Sequence, residues 1–518
     1  MEVEQESVAE PTEGVQQSSE EATTTSLAPE VVTDPNTGLK VVIIGCCHGE
    51  LDAMYESIVF LEQKQNIKID LVLCCGDFQA VRNMTDLNAL ACPVKYREIN
   101  TFYKYYSGEK VAPVMTIFIG GNHEASNHLT ELYYGGWVAP NIYFLGMSGV
   151  VNFGGLRIGG LSGIWKKFDY KQGHYEMPPY SNDTMRSVYH VREFEVFKLK
   201  QLTQRLDVML SHDWPRGIAH YGDLRRLLRA KPFLQGEIES GVFGSPPAEE
   251  LLNLLQPDYW FSAHMHVKFP AVVQHASGQV TKFLALDKVW EFPEAKGPRE
   301  LAYDEEWLAI VKSTNHLLSF RRGTVHMPTP HSSQRFDYWP TQEEREWIRE
   351  RVAAKKDGLR VPLNFTQTAP VYTPGERGKQ AGVLCESPQR TTFLELLDLP
   401  DLFLAYDPAA ASLPSDHQHH QPQPQPGGPP PPLHHHHHPV AVSLLPLGLT
   451  VGHLPTATPL LFSSAPAHAK NEEEIDLSFD GDDEVDAGDV AAKRQRVGDH
   501  HQEKNNEEEI NLYLDGAI

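Results

Sequence analysis

Short apolar runs recur along the chain from Lys40, and several of them end in glycine and a polar residue. They include "KVVIIG", "LVLCCG", "TIFIGG", "IYFLG", "LRIGGLSGI", "DVMLSHD", "YWFSAHMH" and "TKFLALD". Short continuous apolar runs are typical of strands buried on both faces. Between them, helical periodicity covers residues 52–63 and 192–202, and "SPPAEELLNLLQP" predicts a helix capped by Ser245 and ended by Pro257. This alternation predicts an α/β fold with its polar chemistry at the carboxyl ends of the strands.

Changes in composition divide the chain into four regions. Residues 1–38 are predicted to be a disordered acidic arm, and residues 39–295 the main folded domain. Residues 296–406 contain "DEEWLAIVKSTNHLL" and "TQEEREWIRERVAA", so this region is predicted to be mainly helical. Residues 407–518 contain "HQHHQPQPQPGGPPPPLHHHHH" and an acidic end, which predict a disordered low-complexity tail.

The net charge of −24 is concentrated at the two ends of the chain. Residues 1–38 carry nine acids and no lysine or arginine, and residues 471–518 carry sixteen acids against four bases. Subtracting the −9 and −12 of these ends leaves −3 for residues 39–470. The folded part is therefore close to neutral. Overall charge does not exclude a nucleic-acid partner, because binding of nucleic acid depends on local patches.

The six cysteines indicate a reducing compartment. Four of them form two adjacent pairs that end predicted core strands, and neighbouring cysteines rarely bridge each other, so we predict no disulfide framework. The amino-terminal arm lacks the apolar core of a secretory signal. The late apolar stretch 440–462 is interrupted by three prolines, so we expect no membrane association.

Two short clusters in the tail each have two interpretations. Lys493 to Arg496 ("KRQR") has the composition of a nuclear-import signal, but four such residues are also typical of a solvated charge run. His434 to His438 form a histidine tract that can bind a metal adventitiously, although a repeat expansion in a linker explains it more simply. Together with the reducing compartment, the cluster from Lys493 to Arg496 favours a nuclear location. Shuttling to the cytoplasm is a second possibility.

Side chains that bind metals follow one predicted strand after another. In chain order they are Cys46, His48, Asp77, Asn122, His123, Glu124, His212, His264 and His266. Each short motif alone is equally consistent with a cap or a turn, but five in order after apolar strands predict a metallophosphoesterase site. Asp, Asn and His side chains suit Mn²⁺, Fe²⁺ or Zn²⁺. A carboxylate such as Asp77 can bridge two cations about 3.5–4 Å apart, which hold a hydroxide and clamp a phosphate.

Cys46 introduces sulfur where the other candidate ligands offer oxygen or nitrogen. A thiolate favours Zn²⁺ or Fe²⁺ over Mg²⁺, whereas a neutral thiol leaves a weaker pocket, and in both cases the two metals should differ. No serine lies in a nucleophile-elbow context, and no glycine doublet has the ending of a phosphate-binding loop.

The order of the motifs resembles the family of RNA lariat debranching enzymes within the calcineurin-like metallophosphoesterases. The motifs are "GCCHGELD", "CCGDFQAVRN", "GGNHEASNHL", "GHYEMPPY", "LSHDWPRGI" and "YWFSAHMHVKF", and the resemblance extends over residues 40–405 to "ESPQRTTFLELLDLP". Cys-x-His in place of the superfamily's Asp-x-His is this family's own departure. The resemblance implies a metallophosphoesterase β-sandwich flanked by helices. It also implies metal-dependent hydrolysis of the 2′–5′ branch-point bond of excised intron lariats, which gives linear RNA for turnover.

The resemblance also assigns roles to the candidate residues. One metal pocket would be lined by His48, Asp77 and His266 with Cys46 beside it. The other would be formed by Asp77, Asn122, His212 and His264. The implied cofactors are one or two divalent ions, Fe²⁺, Zn²⁺ or Mn²⁺, with occupancy of the Cys46 pocket left open.

His123, Cys46 and Glu124 form the implied catalytic set. His123 would protonate the leaving 2′-oxygen as general acid. Glu124 either orients the His123 imidazole or is a carboxylate at a helix start.

Residues 164–193 correspond to the recognition loop of that family, and their composition fits RNA. Cationic side chains suit phosphates, and interleaved aromatic side chains suit unpaired bases. The predicted RNA contacts are Lys166, Lys167, Tyr170, Lys171, His174, Tyr175, Arg186, Tyr189 and Arg192. The alternative is a surface loop with aromatic anchors beneath it. Phe168 stands where relatives are expected to have histidine, and it is given no role.

The expected partner is branched intron lariat RNA, and the tail is a candidate contact for splicing-associated proteins. Two other functions are considered. A generic metallophosphatase is disfavoured by the Cys-x-His motif and the basic, aromatic loop. A non-catalytic splicing scaffold on the same fold should have lost ligands, yet the set from His48 to His266 is retained.

Overall fold

A computed structural model describes residues 38–285, 288–378 and 382–404. The predicted acidic arm, apart from Gly38, and the predicted tail lie outside the described residues. The strands are β1 (Leu39–Ile44), β2 (Leu71–Cys74), β3 (Met115–Phe118), β4 (Gly136–Ala139), β5 (Ile142–Phe144), β6 (Ser148–Phe153), β7 (Leu156–Leu161), β8 (Val208–Ser211), β9 (Tyr259–Ser262), β10 (Phe269–Gln274), β11 (Val280–Ala285), β12 (Lys288–Phe292) and β13 (Leu301–Tyr303).

Helices occupy much of the chain between and after these strands. They are α1 (Leu51–Gln65), α2 (Met84–Leu87), α3 (Phe102–Tyr106), α4 (Ser126–Glu131), α5 (Asn182–Ser187), α6 (Glu193–Leu199), α7 (Leu224–Ala230), α8 (Gln235–Glu239), α9 (Pro246–Leu255), α10 (Glu305–Thr314), α11 (Gln342–Ala353) and α12 (Pro388–Leu397). Short 3₁₀ turns cover Val94–Tyr96, Ile218–Tyr221, Pro232–Leu234 and Asn315–Leu317.

Within the described residues, the strands form two sheets. The first has the order β12-β1-β2-β3-β5-β4, and the second β10-β11-β9-β8-β7-β6-β13. The strands β1, β2, β3 and β5 run parallel, as do β7, β8, β9 and β11. Ile44 pairs with Cys74, and Cys74 pairs with Phe118, so three strands of the first sheet end level with one another. The segments that follow them therefore meet at one edge.

Apolar side chains fill three layers around the sheets. Val41, Leu73 and Ile117 of the first sheet share one cluster with Ile158 and Phe261 of the second, so the two sheets pack face to face. A second cluster joins the other face of the first sheet to α1 and α3, and a third joins the second sheet to α6, α9, α10 and α12. This is the β-sandwich with flanking helices that the resemblance implies, and it confirms the predicted α/β class.

Local signals in the sequence place several helices correctly. The periodicity over 52–63 becomes α1, and that over 192–202 becomes the shorter α6. Ser245 caps α9 by accepting from the backbone N–H of Ala248, and the helix ends at Leu255 before Pro257. Thr341 and Glu344 form a reciprocal capping box at the start of α11.

The region after residue 296 is less helical than predicted. It contains α10, α11, α12 and the strand β13, which extends the second sheet by pairing with β6. The described residues of 318–341 and 354–387 contain no helix. Repeated prolines in both stretches explain this, because proline lacks the N–H that a helix interior requires.

The second of these stretches lies along the main domain. The carbonyl of Pro370 accepts from Asn83 Nδ2 at 2.7 Å, and the carbonyl of Pro362 accepts from Trp137 Nε1 at 2.7 Å. Thr368 Oγ1 accepts from the buried Arg82 guanidinium at 2.8 Å. The C-terminal region therefore contacts strand β4 and the residues that lead into α2.

Candidate metal centre

The predicted ligands all follow the carboxyl ends of strands, as the sequence indicates. Asp77, for example, follows β2, and His212 follows β8. Among the described residues, His48, Asp77, His264 and His266 have positive φ angles, between 46° and 66°. Non-glycine residues in this left-handed region are uncommon, and such conformations concentrate at functional sites. The backbone is thus bent where these side chains must converge.

One group of four side chains could hold a metal ion. Ligand atoms of Cys46, His48, Asp77 and His266 all lie within 4.8 Å of one another. Burial lowers the pKa of His48 to about 4, which keeps its imidazole neutral and able to donate a lone pair. Burial and the Asp77 carboxylate raise the pKa of the Cys46 thiol well above its usual value. The sulfur is therefore protonated until a cation favours the thiolate.

A second group shares the same carboxylate. His212 Nε2 lies 3.4 Å from Asp77 Oδ2 and 3.0 Å from Asn122 Oδ1, and Nδ1 donates to the carbonyl of Cys75 at 2.8 Å. The backbone carbonyl fixes the ring so that Nε2 faces Asp77 and Asn122. The ring of His264 lies 4.9 Å from that of His212, and burial lowers its pKa to about 3. Asp77 lies between the two groups and can bind in both.

The charge of Asp77 is stabilised by the histidines around it. Burial opposes ionisation of this carboxylate, but His212, His123 and His48 outweigh that effect and hold its pKa well below the usual range. In return, although burial disfavours the charged imidazole, Asp77 raises the pKa of His212 to about 9. A cation that binds here replaces this proton, so metal binding should release protons.

His123 stands at the edge of both groups. Its backbone N–H donates to Asp77 Oδ1 at 2.7 Å, its Nδ1 lies 3.8 Å from Asp77 Oδ2, and its ring centroid is 5.5 Å from that of His48. Its side chain is 30% exposed. The imidazole can therefore meet a substrate that approaches from solvent.

Glu124 is buried and holds two loops together. Its carboxylate accepts from the backbone N–H groups of Phe78, Gln79 and Gly121 at 2.9, 2.9 and 3.0 Å. Burial and Asp77 raise its pKa to about 8. These bonds order the loops that carry Asp77 and Asn122. None of them is to the His123 imidazole, so they do not orient that ring.

Sequence reasoning missed three residues that support the ligands. Gln79 Nε2 lies 3.0 Å from His48 Nδ1, and Asn100 Nδ2 donates to the carbonyl of His48 at 2.6 Å. Asp213 accepts from the backbone N–H of Trp165 at 2.8 Å and lies 3.8 Å from His264 Nε2. Gln79 and Asp213 lie within ligand motifs and were available as candidates. Asn100 has no local signal, because only the tertiary fold brings it to His48.

The predicted recognition loop joins the centre directly. The N–H of Gly163 donates to the carbonyl of Gly120 at 2.8 Å, and the N–H of Val191 donates to the carbonyl of Ile164 at 2.9 Å. Gly163 has φ of +92°, and a Cβ there would lie 2.0 Å from the carbonyl oxygen of Tyr189. Only glycine fits this closure of the loop.

The predicted RNA contacts divide by exposure. Lys166, Lys167, Lys171 and Arg186 are exposed, and Phe168 is 87% exposed beside them. The partly buried ones are Tyr170, His174, Tyr175 and Tyr189. Tyr170 packs against the core cluster, and His174 Nε2 lies 3.1 Å from the buried Glu195. These two fit the alternative of anchors beneath a surface loop.

Arg192 corrects the prediction of an RNA contact. Its side chain is buried and bonds to Glu176 at 2.5 Å, and three more of its N–H groups donate to the carbonyls of Ser187, Asp169 and Gly173. A guanidinium with these partners is not available to a phosphate. Arg192 instead holds the loop closed from within.

The sequence predicts no membrane association. No helix in the described part of the chain is both long and apolar enough to span a membrane.

Two protein-family models match this chain, one over the main domain and one over the C-terminal region. Residues 39–268 match the family model of the calcineurin-like phosphoesterases, and residues 278–402 match that of the lariat debranching enzyme C-terminal domain. The lariat debranching enzyme of Danio rerio is 51% identical over 383 residues, which cover 71% of this chain and 67% of that protein. The Homo sapiens enzyme is 50% identical over 382 residues, covering 70% of each chain, and the Arabidopsis thaliana enzyme is 51% identical over 375 residues, covering 70% and 87%.

Proposed function

The chain belongs to the lariat debranching enzyme family, and on this premise we propose that it hydrolyses the 2′–5′ phosphodiester at the branch point of excised intron lariat RNA. The observation that carries the proposal is the position of Asp77 between two groups of ligands, with His123 beside it. A bridging carboxylate next to a solvent-accessible imidazole suits phosphodiester hydrolysis.

Divalent cations are the cofactors of a calcineurin-like phosphoesterase domain, and the donor set fits them. The buried imidazole of His264 is neutral and Asp77 is ionised, which are the forms that bind cations. Cys46, His48, Asp77 and His266 would hold one ion, and Asp77, Asn122, His212 and His264 a second. When bound, such ions neutralise phosphate charge and lower the pKa of water. We propose Fe²⁺, Zn²⁺ or Mn²⁺, because sulfur at Cys46 disfavours Mg²⁺.

His123 supplies the proton in this proposal. The oxygen of water adds to phosphorus and its proton passes to solvent, while the bond between phosphorus and the 2′-oxygen breaks and Nε2 of His123 protonates the departing oxygen. Asp77 accepts from the His123 backbone and lies nearer to Nδ1, so Nε2 is the nitrogen left to face the substrate. The products are a 5′-phosphate on one strand and a free 2′-hydroxyl on the branch nucleotide.

The exposed residues of the loop 164–193 bind the RNA near the branch. Lys166, Lys167, Lys171 and Arg186 can reach phosphates because they are exposed. Tyr175 and Tyr189 are partly buried and can present ring edges or faces to unpaired bases. The nucleus is the proposed location, and splicing-associated proteins the proposed contacts of the tail. Both rest on sequence features outside the described residues.

A substrate panel tests the function against its two alternatives. The full chain would be assayed on a 2′–5′ branched RNA, a linear RNA of the same composition and a nucleoside monophosphate. Selective loss of the branched RNA, with a free 2′-hydroxyl in the product, supports debranching. Preference for the monophosphate would support a generic phosphatase. Binding of the branch without cleavage after metal reconstitution would support a scaffold.

A further inference from the structure

A basic surface lies on the segment between His212 and α9, outside the predicted recognition loop. It consists of the exposed arginines of α7, the lysine after them and two aromatic side chains that are more than half exposed: Arg225, Arg226, Arg229, Lys231, Tyr221 and Phe233. We call this set the α7 face. Residues 220–233 contain four Lys or Arg and one acid, Asp223. The positive charge is therefore local, in a chain whose net charge is negative.

These cations lack carboxylate partners, unlike their neighbours. Within the described residues, no carboxylate oxygen lies within 4.0 Å of the side-chain nitrogens of Arg225, Arg226, Arg229 or Lys231, whereas Arg216 pairs with Glu249 at 2.7 Å. Asp223 is engaged in capping α7, where it accepts from the backbone N–H of Arg226 at 3.0 Å. Cations without carboxylate partners, beside exposed aromatic rings, are the composition of a surface for single-stranded nucleic acid.

The α7 face is tied on its N-terminal side to β10, the strand next to a loop of the metal centre. Its segment begins just after His212, where Trp214 stacks on Phe269 with ring centroids 5.2 Å apart. Gly222 pairs with Ala271 of β10, and a Cβ on Gly222 would lie 2.4 Å from the carbonyl of Pro270. β10 is the strand that follows His266. The segment is therefore fixed against the chain that carries His266.

The recognition loop approaches the centre by a different route. It reaches His264 through Asp213, which accepts from Trp165 at 2.8 Å. The α7 face is instead held on β10, the strand that follows His266. A branched nucleotide sends three strands away from one ribose, through its 2′-, 3′- and 5′-oxygens. A single loop on one flank leaves at least one strand without a phosphate contact.

We infer that the α7 face is a second RNA-binding surface, which holds a single-stranded arm of the branched substrate by its phosphates and stacks bases on Tyr221 and Phe233. This inference rests on the proposed debranching function. It assigns arm binding to residues outside the recognition loop. It also predicts that affinity depends on arm length.

The test removes the charge of the arginines and keeps the helix propensity of α7, because glutamine is a good helix former. The variant is Arg225→Gln/Arg226→Gln/Arg229→Gln, and the matched control is Lys64→Gln/Lys355→Gln/Lys356→Gln, which removes the same charge from exposed positions on other elements. Both would be made in the full chain and checked by thermal unfolding. Two substrates are used: a minimal branched trinucleotide, and a branched RNA with long arms. RNA binding is measured by fluorescence anisotropy in the presence of a chelator, so that no cleavage occurs. Cleavage is measured separately, after the metal has been restored.

The arginine variant should bind the long-armed RNA about tenfold more weakly than wild type, with a salt slope smaller by about 2, since each lost single-strand phosphate contact removes about 0.7. Its cleavage of the trinucleotide, and both properties of the control, should stay at wild-type values. Unchanged affinity and slope would overturn the inference. So would tighter binding, because it would mean that an acidic part of the protein occupies the face. Failure of the debranching proposal would appear separately, as wild-type protein that cleaves neither branched substrate.

Discussion

Replacing Arg192 with methionine should destabilise the recognition loop from within, because the guanidinium pairs with a buried carboxylate. Arg192 is 0% exposed and Glu176 is 3% exposed, and Nη2 lies 2.5 Å from Glu176 Oε1. Nη2 also donates to the carbonyl of Ser187 at 3.0 Å, and Nη1 to that of Asp169 at 3.2 Å. Arg192→Met removes these bonds and leaves a carboxylate buried without its cation.

The burial of the Arg192–Glu176 pair sets the expected loss in the free energy of unfolding. Removing one partner of a buried ion pair costs about 3–5 kcal/mol, because the other charge stays desolvated. With a urea m-value of about 3 kcal/mol per molar, the midpoint should fall by about 1 M or more. The double variant Arg192→Met/Glu176→Gln should recover part of this loss, since it removes the unpaired charge.

Urea unfolding and hydrogen exchange together test this. The amides of Ile164 and Val191, which bond to the carbonyls of Tyr189 and Ile164, should exchange faster in Arg192→Met. Arg186→Met is the matched control, because Arg186 is exposed in the same loop. It should change the free energy of unfolding by less than about 0.5 kcal/mol.

A phosphate contact by Arg192 predicts the opposite pattern. Stability and exchange would then match wild type, and the salt slope of RNA binding would fall by about 0.7. That result would refute the assignment of Arg192 as an internal tie of the loop.

Three further predictions concern the centre and its surroundings. His123→Ala should lower turnover of branched RNA by about 10²–10⁴ while binding is retained; turnover close to wild type would exclude the proton-donor role. Cys46→Asp should shift activity after reconstitution, and metal content, from Zn²⁺ or Fe²⁺ towards Mn²⁺ or Mg²⁺; the same ranking of metals in both proteins would contradict the argument from sulfur. Burial and Arg82 lower the pKa of His128 to about 3, so below an unfolded pKa of about 6.5 the unfolded chain binds a proton that the folded protein does not. Stability should fall between these values by about 1.4 kcal/mol per pH unit from this residue, and His128→Gln should flatten that slope in urea unfolding at pH 7 and pH 5; equal slopes would show that His128 is not responsible.

The candidate ligands could be found from sequence because the signal is local. Apolar strands that end in glycine and a polar residue identify Asp77 and Asn122 without any knowledge of the sheets. Parallel strands that end in register then bring these residues together, as the pairing of Ile44, Cys74 and Phe118 does.

Tertiary partners could not be found in this way. From the sequence, Arg192 is a cation in a loop, and only the fold shows that it pairs with Glu176. Asn100 is likewise a polar loop residue whose bond to His48 only the fold shows. Helical periodicity in α10 and α11 predicts a mainly helical region, but the prolines between and after these helices prevent helix there. The pattern of apolar positions predicts elements, whereas buried polar pairs depend on which elements meet.

The most direct test of the central claim is a single-turnover assay on one RNA that contains one 2′–5′ bond and several 3′–5′ bonds. Protein stripped of metal would be reconstituted separately with Mn²⁺, Fe²⁺ or Zn²⁺. Cleavage only at the 2′–5′ bond, dependent on added metal and lost in Asp77→Asn, is the predicted result. Cleavage at both kinds of bond, or tight binding with no cleavage under any metal, would contradict the account.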